Sequence, residues 1–359
     1  MMSRAVLGAL AHWLLVLTLA SAGAAWADEK QPYVTPPPSS SDQRTINQVE
    51  RQQTQPYNNA PLWREVRSGD AGVTQVKGIE TGVLVQPQGE TWRALRNGPV
   101  IFYGGILLLV VPAAILLFFA WRGPLKTHSP PSGRLIQRFT SWERLIHWLT
   151  AISFVVLALS GILMLFGKYI VLPLFGYTLF SWIAIVSKNL HNFVGPLFVF
   201  CTLLMFFTFV GGNFWRIYDW KWIKKGGGMV SGEHVPAGKY NAGEKLWFWG
   251  GVTLLGIVVS ASGLILNFPN FDQGRGLMQQ ANIVHGVAAL FYMAASLGHI
   301  YLGTIGMQGA YRSMRHGTVD ETWAKEHHEY WYDDLKAGKA VATPPTHSKP
   351  GPRAQPQHG

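Results

Sequence analysis

Four of the twelve histidines in this 359-residue chain, His147, His191, His285 and His299, lie inside long apolar stretches that contain no Asp or Glu. A proton or cation transporter working at membrane depth needs carboxylates, so imidazole without them points to a ligand role. His285 and His299 are fourteen residues apart. On a helix that spacing falls about 40° short of four full turns and covers about 21 Å. One helix therefore offers two ligands on one face, near opposite sides of a bilayer. The single cysteine, Cys201, sits in an apolar run, which excludes a disulfide framework and any Cys-based iron-sulfur or zinc site in this chain.

The elements that must position these histidines are membrane spans. The chain is 48% hydrophobic and only 14% charged, too few charges for a soluble protein of this length. Its net charge of +11 comes from basic residues spread between apolar runs, which excludes a nucleic-acid patch and reads as topology signals. Residues 1–27 have a basic start at Arg4, an apolar stretch and the small-residue ending Ala25, Trp26, Ala27, the pattern of a cleaved signal peptide. Residues 28–98 follow as an exported, polar region with a Pro/Ser run, and its stretch 58–93 has the alternation and glycines of a few short strands.

Five uncharged stretches are long enough to span: 99–121, 145–166, 189–210, 246–268 and 281–307. A sixth, 169–187, is read as an interfacial segment broken by Pro173 and Gly176. If it crossed, the loop carrying Arg216, Lys221, Lys224, Lys225, Lys239 and Lys245 would face the exported side, against the positive-inside rule. With five spans, the linker 122–144 (Arg122, Lys126, Arg134, Arg138) and the tail 311–359 (Arg312, Arg315) are cytoplasmic. The tail begins with an aromatic, charged surface helix and ends in disorder.

This topology places His191 and His285 near the exported side, and His147 and His299 toward the cytoplasm. Two facing imidazoles close both axial positions of a haem iron, a centre suited to one-electron transfer. Two such pairs make a wire across the membrane. Gly161, Gly195, Gly263 and Gly286 lie near the ligands and either let a flat macrocycle approach the backbone or serve ordinary helix packing. His128, His234, His316, His347 and His358 read as solvated loop residues, and the pair His327 and His328 as polar surface.

The stretches "ERLIHWLTAISFVVLALSGI", "KNLHNFVGPLFVF", "GKYNAGEKLWFW", "NIVHGVAALFYMAASLGHIYLGTIGMQGAYRSM" and "WAKEHHEYWYDD" resemble the gamma, or cytochrome b556, subunit of membrane-bound formate dehydrogenases. The resemblance covers residues 134–336, and the exported region and first span look like the extension of the family's longer members. It implies an all-α membrane protein: a four-helix di-haem cytochrome b core over 145–310, with one additional N-terminal helix, in the bacterial inner membrane. By that resemblance a molybdenum or tungsten alpha subunit oxidises formate and an iron-sulfur beta subunit delivers electrons. His191 and His285 would bind the outer haem b, His147 and His299 the inner one, and menaquinone or ubiquinone would be the acceptor. Asn241 and Gly243 match the family's quinone-site residues, with His299 closing the pocket. At Glu244 a compared member of the family carries Gln; a carboxylate there would suit proton delivery to reduced quinone. Two other readings remain: the cytochrome b of a hydrogenase or thiosulfate-type reductase, and an anchor or transporter without haem.

Overall fold

The computed structural model describes residues 87–271 and 273–339, with Ser68. The expected signal peptide, all but the end of the exported region, and the tail beyond residue 339 lie outside the described residues. Among the described residues the regular structure is helical apart from one two-stranded ribbon and an isolated bridge between Leu125 and Met307. Four helices are long and apolar enough to cross a membrane: Gln88–Arg122, Ser141–Gly212, Ala242–Asn267 and Arg275–Gly306.

The first begins as α1 (Pro87–Leu95), passes through a π-helical turn at Arg96–Val100 and continues as α2 (Ile101–Arg122). The expected strands over 58–93 are therefore corrected at their end, because residues 87–93 are helical. Pro87 at the first helical position and Glu90 in the first turn favour a helix start. Beyond it, α2 carries no charge before Arg122 and leaves Leu109, Leu116, Leu117 and Trp121 exposed, as a surface solvated by lipid requires.

The second, α3 (Ser141–Phe209), starts at a capping box: Thr140 Oγ1 accepts from Glu143 N at 3.1 Å, and Glu143 accepts from Thr140 N at 2.7 Å. At about 1.5 Å per residue it would be about 100 Å long, over three times the hydrocarbon thickness of a bilayer. It is broken at Gly176, whose φ of 71° lies in the region glycine enters without a Cβ penalty. Pro173 does not break it. The expectation that both Pro173 and Gly176 break the 169–187 segment is thus corrected for Pro173, since the backbone is helical on both sides of the single glycine.

Then come α4 (Ile217–Lys224), α5 (Ala242–Leu246), a π-helical stretch at Trp247–Leu255, α6 (Gly256–Asn267) and α7 (Arg275–Tyr301). A second π-helical turn, Leu302–Gly306, precedes α8 (Ala310–His316).

Two compact units divide the chain. One holds residues up to Ile106 together with Val258–Leu290. Inside it, Trp92 Nε1 donates to Asn282 Oδ1 at 3.1 Å, and Gly104 leaves room for the fully buried Leu290, which any Cβ there would strike. The other holds Leu107–Ile257 and the chain from Phe291 on.

In the second unit the expected linker and tail fold together. Strand β1 (Leu135–Gln137) pairs antiparallel with β2 (Thr318–Asp320), with Ile136 opposite Val319. Two helices follow, α9 (Glu321–His327) and α10 (Glu329–Lys336). Val319, Trp323, Ala324, Trp331 and Tyr332 form a buried cluster against Ile136, Met307 and Leu335. The single surface helix expected from the aromatic stretch is corrected to two helices around a core, because its aromatics find apolar partners from residues far away in sequence.

Candidate cofactor site

The capping box that starts α3 fixes the helix a turn before His147, while His299 lies near the end of α7. Their ring centroids are 6.2 Å apart. An imidazole nitrogen binds a first-row metal at about 2 Å and sits about 1 Å from its ring centre, so two imidazoles across one metal have centres about 6 Å apart. The separation fits one metal ion between the rings. His147 Nδ1 is buried with no hydrogen-bond partner among the described residues.

Behind His299 the indole of Trp247 is stacked, with centroids 4.9 Å apart and planes 12° apart. Trp247 opens the π-helical stretch and folds back over Gly251, where a Cβ would collide with its ring. A π-helical stretch inside an apolar helix is a common mark of a functional site.

His191 and His285 are held by a device that occurs twice. Ser160 Oγ donates to Val156 O at 2.8 Å and lies 2.8 Å from His191 Nδ1. Ser262 Oγ donates to Val258 O at 2.6 Å and lies 3.2 Å from His285 Nδ1, which is also 3.0 Å from Val259 O. A hydroxyl whose proton is already given to a carbonyl can only accept, so in both cases Nδ1 carries the ring proton and Nε2 the lone pair a metal needs.

Each serine is followed by a glycine against the same ring. A Cβ at Gly161 would lie 3.4 Å from His191 Cε1, and one at Gly263 would lie 3.1 Å from His285 Cε1. The first would be an ordinary van der Waals contact and the second a tight one, so each glycine lies against the edge of its imidazole. A Cβ at Gly195 or Gly286 would meet nothing within 4 Å, so no contact among the described residues calls for glycine at either position.

Asn241, Gly243 and Glu244 lie together at the start of α5. Asn241 Oδ1 accepts from Glu244 N at 2.9 Å, and Glu244 Oε2 accepts from Asn241 N at 2.9 Å. The buried Arg138 donates to both Glu244 oxygens, at 2.9 and 3.1 Å, and to Lys239 O at 2.8 Å. Next to Glu244, Lys245 is paired with Asp219 at 2.7 Å, with side chains 2% and 0% exposed. A cavity of about 520 Å³ reaches this turn, lined by Asn241, Trp222, Arg122, Lys126, His128 and His327 among others. Of the four expected quinone-pocket residues only Asn241 lines it; Gly243, Glu244 and His299 do not.

The two histidines assigned to polar surface are corrected. His328 is 1% exposed and its Nδ1 donates to Gly238 O at 2.6 Å. Burial pushes its imidazole down to about 3, with Arg138 adding to the effect. His327 is stacked on Trp323 with centroids 5.0 Å apart. His128 and His234 are exposed as expected, and each meets a carboxylate, Glu326 and Glu329.

Ser160, Ser262, Trp247 and Arg138 are site residues that the linear pattern does not single out. The repeated Ser-Gly pair, 160–161 and 262–263, was the one visible signal.

Long apolar helices that carry paired imidazoles are the architecture of a membrane cytochrome b. The chain belongs to the prokaryotic cytochrome b561 family, whose sequence model matches residues 138–317. It is homologous to cytochrome b556 subunits of formate dehydrogenase and longer than they are, by an N-terminal region. It is 30% identical over 210 residues to the cytochrome b556(fdo) subunit of Escherichia coli K12, covering 56% of this chain and 93% of that protein. The nitrate-inducible cytochrome b556(Fdn) subunit of the same strain is 30% identical over 218 residues, 58% and 94% of the two chains. The cytochrome b556 subunit of Haemophilus influenzae is 27% identical over 210 residues, 55% and 82%.

Proposed function

We propose that this chain is the membrane-anchoring cytochrome b subunit of a formate dehydrogenase complex, taking electrons from an iron-sulfur partner and delivering them to menaquinone or ubiquinone. The observation that carries the reading is the 6.2 Å separation of the His147 and His299 rings. Two haems b, when bound, would supply one-electron transfer. His147 and His299 would hold the inner haem. His191 and His285 would hold the outer one, a pairing drawn from their matching depth in the sequence and from the family resemblance.

The proposed topology has five crossings, with α3 contributing one on each side of Gly176, in keeping with that residue's non-helical backbone. The N-terminal region is then periplasmic and the C-terminus cytoplasmic, because the basic residues after α2, α3 and α7 are the retained ones.

Quinone is proposed to bind near Asn241, Gly243, Glu244 and His299, on the cytoplasmic side. The cavity beside Asn241 is of a size that suits a small-molecule head group. Glu244 enters this reading as the ion-pair partner of Arg138 and the cap of α5, both of its oxygens being engaged. Delivery of a proton from Glu244 to reduced quinone would first require that pair to open.

Purification with the co-expressed partner subunits, a pyridine haemochrome assay and haem reduction by formate test the proposal. About two haems b per chain, reduced by formate and reoxidised by quinone, are expected. A colourless chain from haem-replete cells would leave an anchor or transporter. Haem reduction by hydrogen or a sulfur compound but not by formate would favour the hydrogenase or thiosulfate-type reading.

A further inference from the structure

We infer that Ser160 and Ser262 lower the reduction potential of the outer haem relative to the inner one, by accepting hydrogen bonds from Nδ1–H of His191 and His285. The inference rests on the proposed reading of the four histidines as haem ligands.

A serine in an apolar helix usually returns its proton to a carbonyl one turn back and does nothing more. Ser160 and Ser262 do this, to Val156 O and Val258 O, and both are buried. Each also presents its remaining lone pairs to an imidazole nitrogen, at 2.8 Å for His191 and 3.2 Å for His285, sharing the Nδ1 proton with a backbone carbonyl, Leu157 O at His191 and Val259 O, 3.0 Å away, at His285. The same two-residue unit, with its glycine against the same edge of the ring, serves two histidines that sit 31 and 23 residues further along the chain. Two independent occurrences of one arrangement argue for a requirement of the ring, not of the helix.

Donation from Nδ1–H raises the basicity of Nε2. A more basic ligand favours iron(III), the more positive member of the couple, over iron(II). The couple involves one electron, and the Nδ1 proton stays on the ring throughout. The inner pair lacks this arrangement at His147, whose Nδ1 has no hydrogen-bond partner among the described residues. The lower potential would thus belong to the haem held by His191 and His285, which would favour electron flow from that centre toward the pair of His147 and His299.

The experiment is redox potentiometry and EPR of the purified complex carrying Ser160→Ala, Ser262→Ala or both, with haem content measured on each sample. The lower of the two midpoints is expected to rise while the higher stays. The double variant should change the reduced-to-oxidised ratio of that haem by about tenfold, equal to about 59 mV for one electron. The g-values of the same haem should shift. Unchanged potentials with both haems retained would overturn the inference and leave the ligand reading intact, whereas an unmodified protein without haem would sink the ligand reading itself. If alanine costs the outer haem, Ser160→Thr and Ser262→Thr decide. Haem and potentials kept with threonine show that the ring needs the hydroxyl. Loss with threonine as well shows that side-chain volume governs, and the inference falls.

Discussion

The imidazoles of His147 and His299 stand with their centres 6.2 Å apart although 152 positions separate them in the chain (299 − 147). Replacing either by alanine should remove one haem and leave the other, lowering the haem content from about two to about one per chain. The haemochrome assay on each variant reads this directly. Full haem content in both variants would exclude the pair as ligands.

The indole of Trp247 can lie against its own helix only because residue 251 has no side chain. Gly251→Ala should push the ring away from His299 at a cost of about 1–3 kcal/mol, the usual penalty of overpacking. The expected outcome is a lower melting temperature and an altered absorbance band for one haem only, seen in difference spectra. Gly250→Ala is the control, since a Cβ there meets nothing within 4 Å.

Lys245 and Asp219 form an ion pair with almost no solvent contact, and Asp219 also accepts from Arg216 N at 2.6 Å. Asp219→Ala leaves a buried cation without its partner and should destabilise by about 3–5 kcal/mol. Replacing both, as Asp219→Leu with Lys245→Met, should recover most of the lost melting temperature. No recovery would mean that the Arg216 contact, and not the buried charge, dominates.

His328 is neutral in the fold, its pKa held down to about 3 by burial first and Arg138 second, against an ordinary value of 6.5. The unfolded chain therefore binds the extra proton, and the stability contributed by the neutral ring is complete above about pH 6.5 and is lost as pH falls toward 3. Glu326 and Asp320 lose theirs lower: backbone donors outweigh burial and hold both below their ordinary 4.5 and 3.8. His327, which burial also pushes down, adds to the same window as His328. Between pH 6.5 and 5 the melting temperature should fall in the wild type and fall less in His328→Gln, whose amide can still donate to Gly238 O. Identical slopes would place the acid sensitivity elsewhere.

Much was legible in the linear pattern because the relevant signals are local. Fourteen-residue spacing puts His285 and His299 on one face whatever surrounds them, and uncharged runs of about twenty residues announce spans without reference to partners. The motif around Asn241 was legible as a loop before a helix, and its capping box follows from Asn and Glu three positions apart. Reading Pro173 as a breaker failed for a local reason too: the helix absorbs it, and only Gly176 takes the left-handed backbone.

The amino-acid order by itself determined that imidazoles without carboxylates occupy the apolar runs, their repeat along one helix and the membrane as solvent, since these depend on composition and period alone. Only the tertiary structure decided that His328 is buried while His128 is not, that Trp247 backs His299, and that two serines turn the rings of His191 and His285. Those outcomes hang on neighbours from 23 to 90 positions away, and no local period encodes which distant side chain will arrive.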